Sequence, residues 1–132
     1  MILVDTSVLI DYLRGSSNPP VTRFDEIKSR GIAFGINNYI YQELLQGAAS
    51  ERDFESLRTY LSTQRFYELM HGRASYESAA RLYFRCRKKG LTVRSIVDFL
   101  VVQTAIENNL ILLHNDSDFN AMAKIIKELK IY

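Results

Sequence analysis

The chain has 132 residues, 47% of them hydrophobic, with 17 Lys and Arg against 15 Asp and Glu for a net charge of +2. That length and apolar content suit one domain over residues 1–132 with room for a core. The near-balanced charge excludes no partner, because nucleic-acid-binding proteins often concentrate their basicity locally. A single Cys86 excludes an internal disulfide and, with only His71 and His114 beside it, argues against a structural zinc site.

The amino terminus runs one strand's length of apolar residues straight into Asp5. It lacks the basic start, long apolar segment and small-residue cleavage site of a signal peptide. No apolar run approaches the ~18 residues needed to span a bilayer. A soluble protein of the cytoplasm, with no membrane contact, is expected.

Ile2 to Val4 is a short apolar run that predicts a buried strand. It stops at Asp5, and Thr6-Ser7 offers capping hydroxyls for a short helix from Ser7 to Arg14. Gly15 to Pro20 is the clearest loop. Helical spacing returns from Val21 to Arg30, with Phe24 and Ile27 apolar, and Gly31 closes it. Ile32 to Ile36 predicts a second strand; Asn37-Asn38 then caps a helix from about Tyr39 to Gln46, stopped at Gly47. A helix follows over Glu51 to Leu61, and Phe66 to Leu69 reads as a third strand. Two long helices come next, Ser75 to Lys89, ended by Gly90, and Ser95 to Glu107 or Asn108. Leu110 to Leu113 predicts the fourth strand and Asp118 to Leu129 the last helix, leaving Ile131-Tyr132 for an edge strand. Strands alternating with helices predict an α/β fold with a parallel sheet between helices.

Asp5 would thus stand where a strand ends and a helix begins, the edge along which open α/β sheets place their ligand crevices. Its candidate companions are Glu43, Asp98, Asp116 and Asp118, each from a stretch expected to be apolar. Glu43 has Ile40, Leu44 and Leu45 about it; Asp98 interrupts Ile96 to Val102; Asp116 and Asp118 follow the fourth strand as Asp5 follows the first. Acids are rarely buried without a partner. Each has an ordinary reading too. Ser95-Ile-Val-Asp98 matches a capping box, Asp116 or Ser117 could cap the last helix, Asp5 could be a turn acid, and Glu43 could be solvated. Singly, those readings are favoured; together, at strand ends and inside apolar helices, the acids favour a site. Asp11 reads as a surface residue. Several carboxylates in one pocket cannot all ionise comfortably without a cation, and Mg²⁺ or Mn²⁺ prefers carboxylate oxygens. Such a site suits phosphodiester hydrolysis.

Val4 to Asp11, Glu43 to Gly47, Asp98 to Ala105 and Asn115 to Phe119, in that order and spacing, resemble the PIN domain. Length and motif order resemble specifically the VapC toxins of toxin–antitoxin pairs, over nearly the whole chain. The resemblance implies a PIN-like fold, a central parallel sheet flanked by helices on both sides, and a Mg²⁺- or Mn²⁺-dependent endoribonuclease acting on tRNA or rRNA. It makes Asp5, Glu43, Asp98 and Asp116 the catalytic acids. Asp5, Asp98 and Asp116 would ligate metal, Asp5 and Asp98 foremost, with Asp118 auxiliary and Thr6 helping through its hydroxyl. It also implies a homodimer, silenced by a VapB-type antitoxin whose tail inserts a cation among the acids. Two positions depart from the family pattern. His114 stands where a Thr or Ser is common, and is expected to bind substrate phosphate instead. Leu100 to Gln103 replaces a common Ile-Ala-Ala, a change of packing.

Arg81, Arg85, Arg87, Lys88, Lys89 and Arg94 interleave with Tyr76, Tyr83 and Phe84. They could form an RNA phosphate track with stacking rings, or a solvated helix face over an aromatic core. Arg94 is the best single candidate for a substrate contact. Other acid-led folds fit less well: a haloacid-dehalogenase-like phosphatase needs a second Asp where Ser7 stands, and a receiver domain needs a mid-chain phosphoacceptor and a late Lys. The remaining alternatives are a PIN-fold module that binds RNA or protein without cutting, and a metal-dependent DNA nuclease. RNA over DNA rests on the resemblance alone.

Overall fold

A computed structural model describes all 132 residues. Ile2, Leu3 and Val4 are all buried, although successive strand residues point to opposite faces. This first strand, β1 (Ile2–Val4), must therefore be covered on both sides. Its partners are β2 (Phe34–Gly35) and β3 (Ile111–Leu113), and β4 (Lys130–Ile131) adds to β3. The sheet runs β2-β1-β3-β4, with every pair parallel. Ile2 pairs with both Phe34 and Ile111, and Val4 with Leu113, so β1 and β3 end level with each other. The α/β parallel architecture expected from the alternating pattern is what forms.

Seven helices surround the sheet: α1 (Thr6–Leu13), α2 (Pro19–Ser29), α3 (Asn38–Gln46), α4 (Glu51–Leu61), α5 (Arg73–Lys88), α6 (Ile96–Glu107) and α7 (Ser117–Ile125). Local chemistry sets most starts. Asn18 accepts from the Val21 N–H ahead of Pro19-Pro20, Asn37 accepts from the Ile40 N–H, and Ser50 accepts from the Asp53 N–H. Helix α6 is the most enclosed, with Phe99, Val101, Val102, Gln103, Thr104 and Ala105 all buried. Its buried hydroxyl is satisfied twice: Thr104 Oγ1 donates to the Leu100 carbonyl at 2.7 Å and accepts from Asn37 Nδ2 at 3.1 Å. No helix is long and apolar enough to cross a membrane.

Three expectations change. Phe66 to Leu69 is no strand. Phe66 makes a lone parallel bridge to Ile36, and two residues later the Glu68 carbonyl accepts from the Asn108 side chain instead of from a strand. Gly35 permits even that bridge, because a Cβ there would lie 2.4 Å from the Arg65 carbonyl oxygen. Helix α7 ends at Ile125 instead of Leu129, since the chain must turn to place Lys130 and Ile131 beside β3. Finally, Asp5 rather than Thr6 or Ser7 caps α1.

Candidate functional site

Asp5 leaves β1 with an extended backbone, and its N–H donates to the Leu113 carbonyl at 2.9 Å. Its carboxylate then takes the capping role, accepting from the Ser7 N–H at 3.0 Å and from Ser7 Oγ at 2.6 Å. Ser7 Oγ accepts in turn from the Asn115 N–H at 2.9 Å. Asp116 repeats the device after β3, capping α7 by accepting from the Asp118 N–H at 2.9 Å. Two parallel strands that end level thus each deliver a capping carboxylate to the same edge.

Asp98 arrives from the other side, in the first turn of α6. The capping-box reading does not hold for it: Ser95 makes no side-chain cap bond. The Asp98 carboxylate instead meets other acids, and one oxygen each from Asp98, Asp116 and Asp118 lie within 4.8 Å of one another. All three residues are half-buried. Burial first, then the charges of Asp5, Asp116, Glu43 and Asp118, push the Asp98 carboxyl up to about 7. All five acids therefore share one electrostatic neighbourhood. Asp5 is 6% exposed, and burial raises its carboxyl too, against the lowering effect of its Ser7 hydrogen bonds.

Glu43 sits differently from the expectation of an acid inside an apolar stretch. It lies on the exposed side of α3, at the rim, while Ile40 and Leu44 point inward. Partial burial and then Asp5 raise its carboxyl. Thr6 is buried and its Oγ1 has no hydrogen-bond partner. His114 is half-buried, packs its ring 5.1 Å from that of Phe119, and accepts from the Asp116 N–H at Nδ1. Burial holds its imidazole below the ordinary range, against the pull of Asp5 and Asp116. With Nδ1 accepting from the Asp116 N–H, the ring's proton stands on Nε2, which is left as its donor. Arg94 is exposed in the loop that enters α6 and makes no salt bridge.

No cation of the chain neutralises the acids. The salt bridges are Lys28–Asp25, Arg58–Glu55 and Arg85–Glu128, all away from this edge. An all-oxygen donor set, crowded and uncompensated, fits a hard divalent cation. Asp98, Asp116 and Asp118 are the residues nearest to holding one, with Asp5 beside them.

The sequence reading missed a second tier of residues. Asp11 is no free surface acid: its Oδ2 accepts from Asn18 Nδ2 at 2.9 Å and from Asn115 Nδ2 at 3.2 Å. Ser7 bridges two strand ends rather than simply capping a helix. The only sequence signal was their spacing of four, which puts Ser7 and Asp11 on one face of α1.

A family model described as the PIN domain matches residues 2–125. Ribonuclease VapC4 of Mycobacterium tuberculosis is 32% identical over 127 residues, covering 93% of this chain and 92% of that protein. Ribonuclease VapC11 of the same species is 29% identical over 126 residues, covering 95% and 93%. Among solved structures, VapBC2 from Rickettsia felis bound to a fragment of promoter DNA superposes with a TM-score of 0.77 at 18% identity, covering 100% of this chain and 98% of that one. DNA-bound VapBC from Salmonella typhimurium gives 0.74 at 19% identity, covering 99% and 96%. At such identities the structural likeness speaks to the fold.

Proposed function

Since this chain belongs to the PIN-domain family, in its VapC-type branch, we propose that it is a Mg²⁺- or Mn²⁺-dependent endoribonuclease, the toxin of a toxin–antitoxin pair. The observation that carries the reading is the trio Asp98, Asp116 and Asp118, held together with no protein cation among them. A bound Mg²⁺ or Mn²⁺ supplies Lewis-acid chemistry there, stabilising charge on a phosphodiester and acidifying water. Asp98, Asp116 and Asp118, the three carboxylates that converge, would hold the cation together with Asp5. Glu43, at the rim with a raised carboxyl, would take the proton that the attacking water loses as its oxygen bonds to phosphorus, while the ribose oxygen released as its P–O bond breaks takes a proton from solvent. Thr6 Oγ1, buried and unpartnered, has a donor to spare for a water at the site.

Beside Asp116 opens a cavity of about 380 Å³ lined in part by Arg23, His114 and Asn120. The RNA chain flanking the cut phosphate lies there, with His114 donating from Nε2, and the exposed Arg94, in the loop that enters α6, meets a further phosphate. The substrates are tRNA or rRNA in the cytoplasm, and their cleavage stops translation.

Two surfaces suit the proteins such a toxin would meet. Between α1, α3 and α4 a groove of about 370 Å³ has Ile10, Leu13, Leu44 and Leu57 in its walls, with Glu43 also lining it. The tail of a VapB-type antitoxin fits it, apolar side chains in the groove and a cation reaching the acids. Across α5 and α6, an apolar hollow of about 350 Å³ lies between Tyr76, Tyr83 and Ile96, the last 72% exposed. A second copy covers it in a homodimer.

The test is expression of wild type and Asp5→Asn without a partner in a bacterial host, followed by sequencing of RNA ends. Growth arrest with discrete new RNA ends, absent from the mutant, supports the reading. Intact RNA under both proteins sinks it and brings forward a non-cleaving module or a DNA substrate.

A further inference from the structure

Asn115 is exposed, yet it is held at both its backbone and its side chain by one helix. Its N–H donates to Ser7 Oγ at 2.9 Å, and its Nδ2 donates to Asp11 Oδ2 at 3.2 Å. Ser7 and Asp11 stand one turn apart on the same face of α1. Neither contact ends there. Ser7 Oγ donates its own hydrogen bond to the Asp5 carboxylate at 2.6 Å, and Asp11 Oδ2 also accepts from Nδ2 of Asn18, the residue that caps α2.

We propose that Ser7, Asp11 and Asn115 form a clasp of positioning residues that sets where the Asp116 carboxylate stands relative to Asp5. The proposal rests on the metal-dependent reading above.

Asp116 is the next residue after Asn115, in the loop between β3 and α7. Apart from the clasp, its polar ties are local ones, to the Asp118 N–H, the Phe119 N–H and the His114 ring. Only the clasp relates it to α1, and α1 is the helix whose first turn the Asp5 carboxylate caps. A loop anchor with no bearing on the acids would have no reason to end on one. Here the hydrogen-bond chain runs from the Asn115 N–H through Ser7 Oγ to the Asp5 carboxylate, so a shift of Asn115 moves a donor of Asp5 and the backbone of Asp116 together. Groups that orient metal-binding side chains usually act in this way.

Calorimetric titration with Mn²⁺, alongside metal-free thermal unfolding, separates this from simple loop support. Asn115→Ala keeps the Ser7 contact and the Asp11–Asn18 contact, buries nothing new, and is expected to unfold within a few degrees of wild type. Its Mn²⁺ dissociation constant is expected to rise roughly tenfold, as is that of Asp11→Ala. The double variant should lose less than the sum of the two in free energy, because both remove one bond. Asp11→Asn, whose amide oxygen still accepts from both asparagines, should return to within about twofold of wild type. Where Asp11→Ala fails to fold, having also released Asn18, Asn115→Ala alone decides. If wild type binds Mn²⁺ and Asn115→Ala binds it equally well, the clasp positions nothing and the proposal falls. If Asp11→Asn behaves like Asp11→Ala, the effect belongs to charge and the positioning claim falls likewise. Wild type binding no Mn²⁺ at all would overturn the metal reading itself, a result distinct from either.

Discussion

The Asp5 N–H donates to the Leu113 carbonyl at 2.9 Å, tying the last residue of one strand's run to the end of its neighbour. That one bond continues the β1–β3 ladder to the point where both strands give way to acids. Everything downstream of it, from the capping of α1 to the approach of Asp116, depends on the two strands ending together. The chemistry of the site is a consequence of register.

Removing a carboxylate from this edge should cost activity without costing the fold. Asp98→Asn and Asp5→Asn are each expected to lower RNA cleavage by more than roughly a hundredfold, since each takes away a charge that binds the cation. The Asp98 carboxyl accepts no hydrogen bond and is opposed by its neighbours, so Asp98→Asn should unfold at a higher temperature than wild type at pH 8 without metal. Loss of activity accompanied by loss of the cooperative unfolding transition would count against this.

The metal-free protein should grow less stable as pH rises from the acid side. The folded Asp98 carboxyl is raised to about 7 from an ordinary 3.8, so the folded state holds a proton that the unfolded state releases. Where the folded state binds more protons, stability falls with pH, and it does so across the window between those two values before levelling off. Melting temperatures in EDTA from pH 4 to pH 8 should trace that fall, and Asp98→Asn should flatten it. An unchanged profile in the variant would assign the dependence to other groups.

Divalent cation should reverse the loss. At a Mn²⁺ concentration about a hundred times its dissociation constant, binding to the folded state alone contributes about 2.7 kcal/mol. The resulting rise in melting temperature should be clear for wild type at pH 8 and small for Asp98→Asn. Equal rises in the two would place the cation elsewhere on the protein.

Gly35 is expected to resist substitution for a reason unconnected with the acids. A methyl group there meets the Arg65 carbonyl oxygen at 2.4 Å and the Tyr67 ring at 2.8 Å. Gly35→Ala should therefore destabilise the protein by about 1–3 kcal/mol, as overpacking typically does. Urea denaturation measures it, and RNA cleavage by the folded fraction should persist.

Some of this was legible in the sequence. The Asn37 cap and the acids that follow β1 and β3 are written in short runs whose chemistry is local, and they read correctly, whereas the cap of α1 fell to Asp5 instead of Thr6 or Ser7. Phe66 to Leu69 has the composition of a strand but no neighbour to pair with beyond Ile36, which only the sheet could reveal. Ser95 and Asp98 have the spacing of a capping box, yet the Asp98 carboxylate is spent on a different neighbourhood. Asp11 interrupts an apolar run, Val8 to Leu13, much as Asp98 does, but its two amide partners lie seven and 104 positions away in the chain, where no local pattern points to them.

By itself the sequence determined that carboxylates stand where apolar strands stop and helices start, because a short buried run followed by a capping residue needs only its neighbours to form. It determined equally that no Lys or Arg sits beside those acids in the chain. Tertiary structure decided the rest: which three carboxylates draw closest, that Asp5 is committed to Ser7, that Glu43 stays at the rim, and that a lone asparagine bridges α1 to the loop bearing Asp116. Those outcomes are set by the register of β1 on β3 and by the packing of α6 against them. The first joins residues about a hundred positions apart, as Ile2 to Ile111, and no local pattern encodes a distance across such a gap; the second sets Asp98, near the start of α6, against acids that follow both strands.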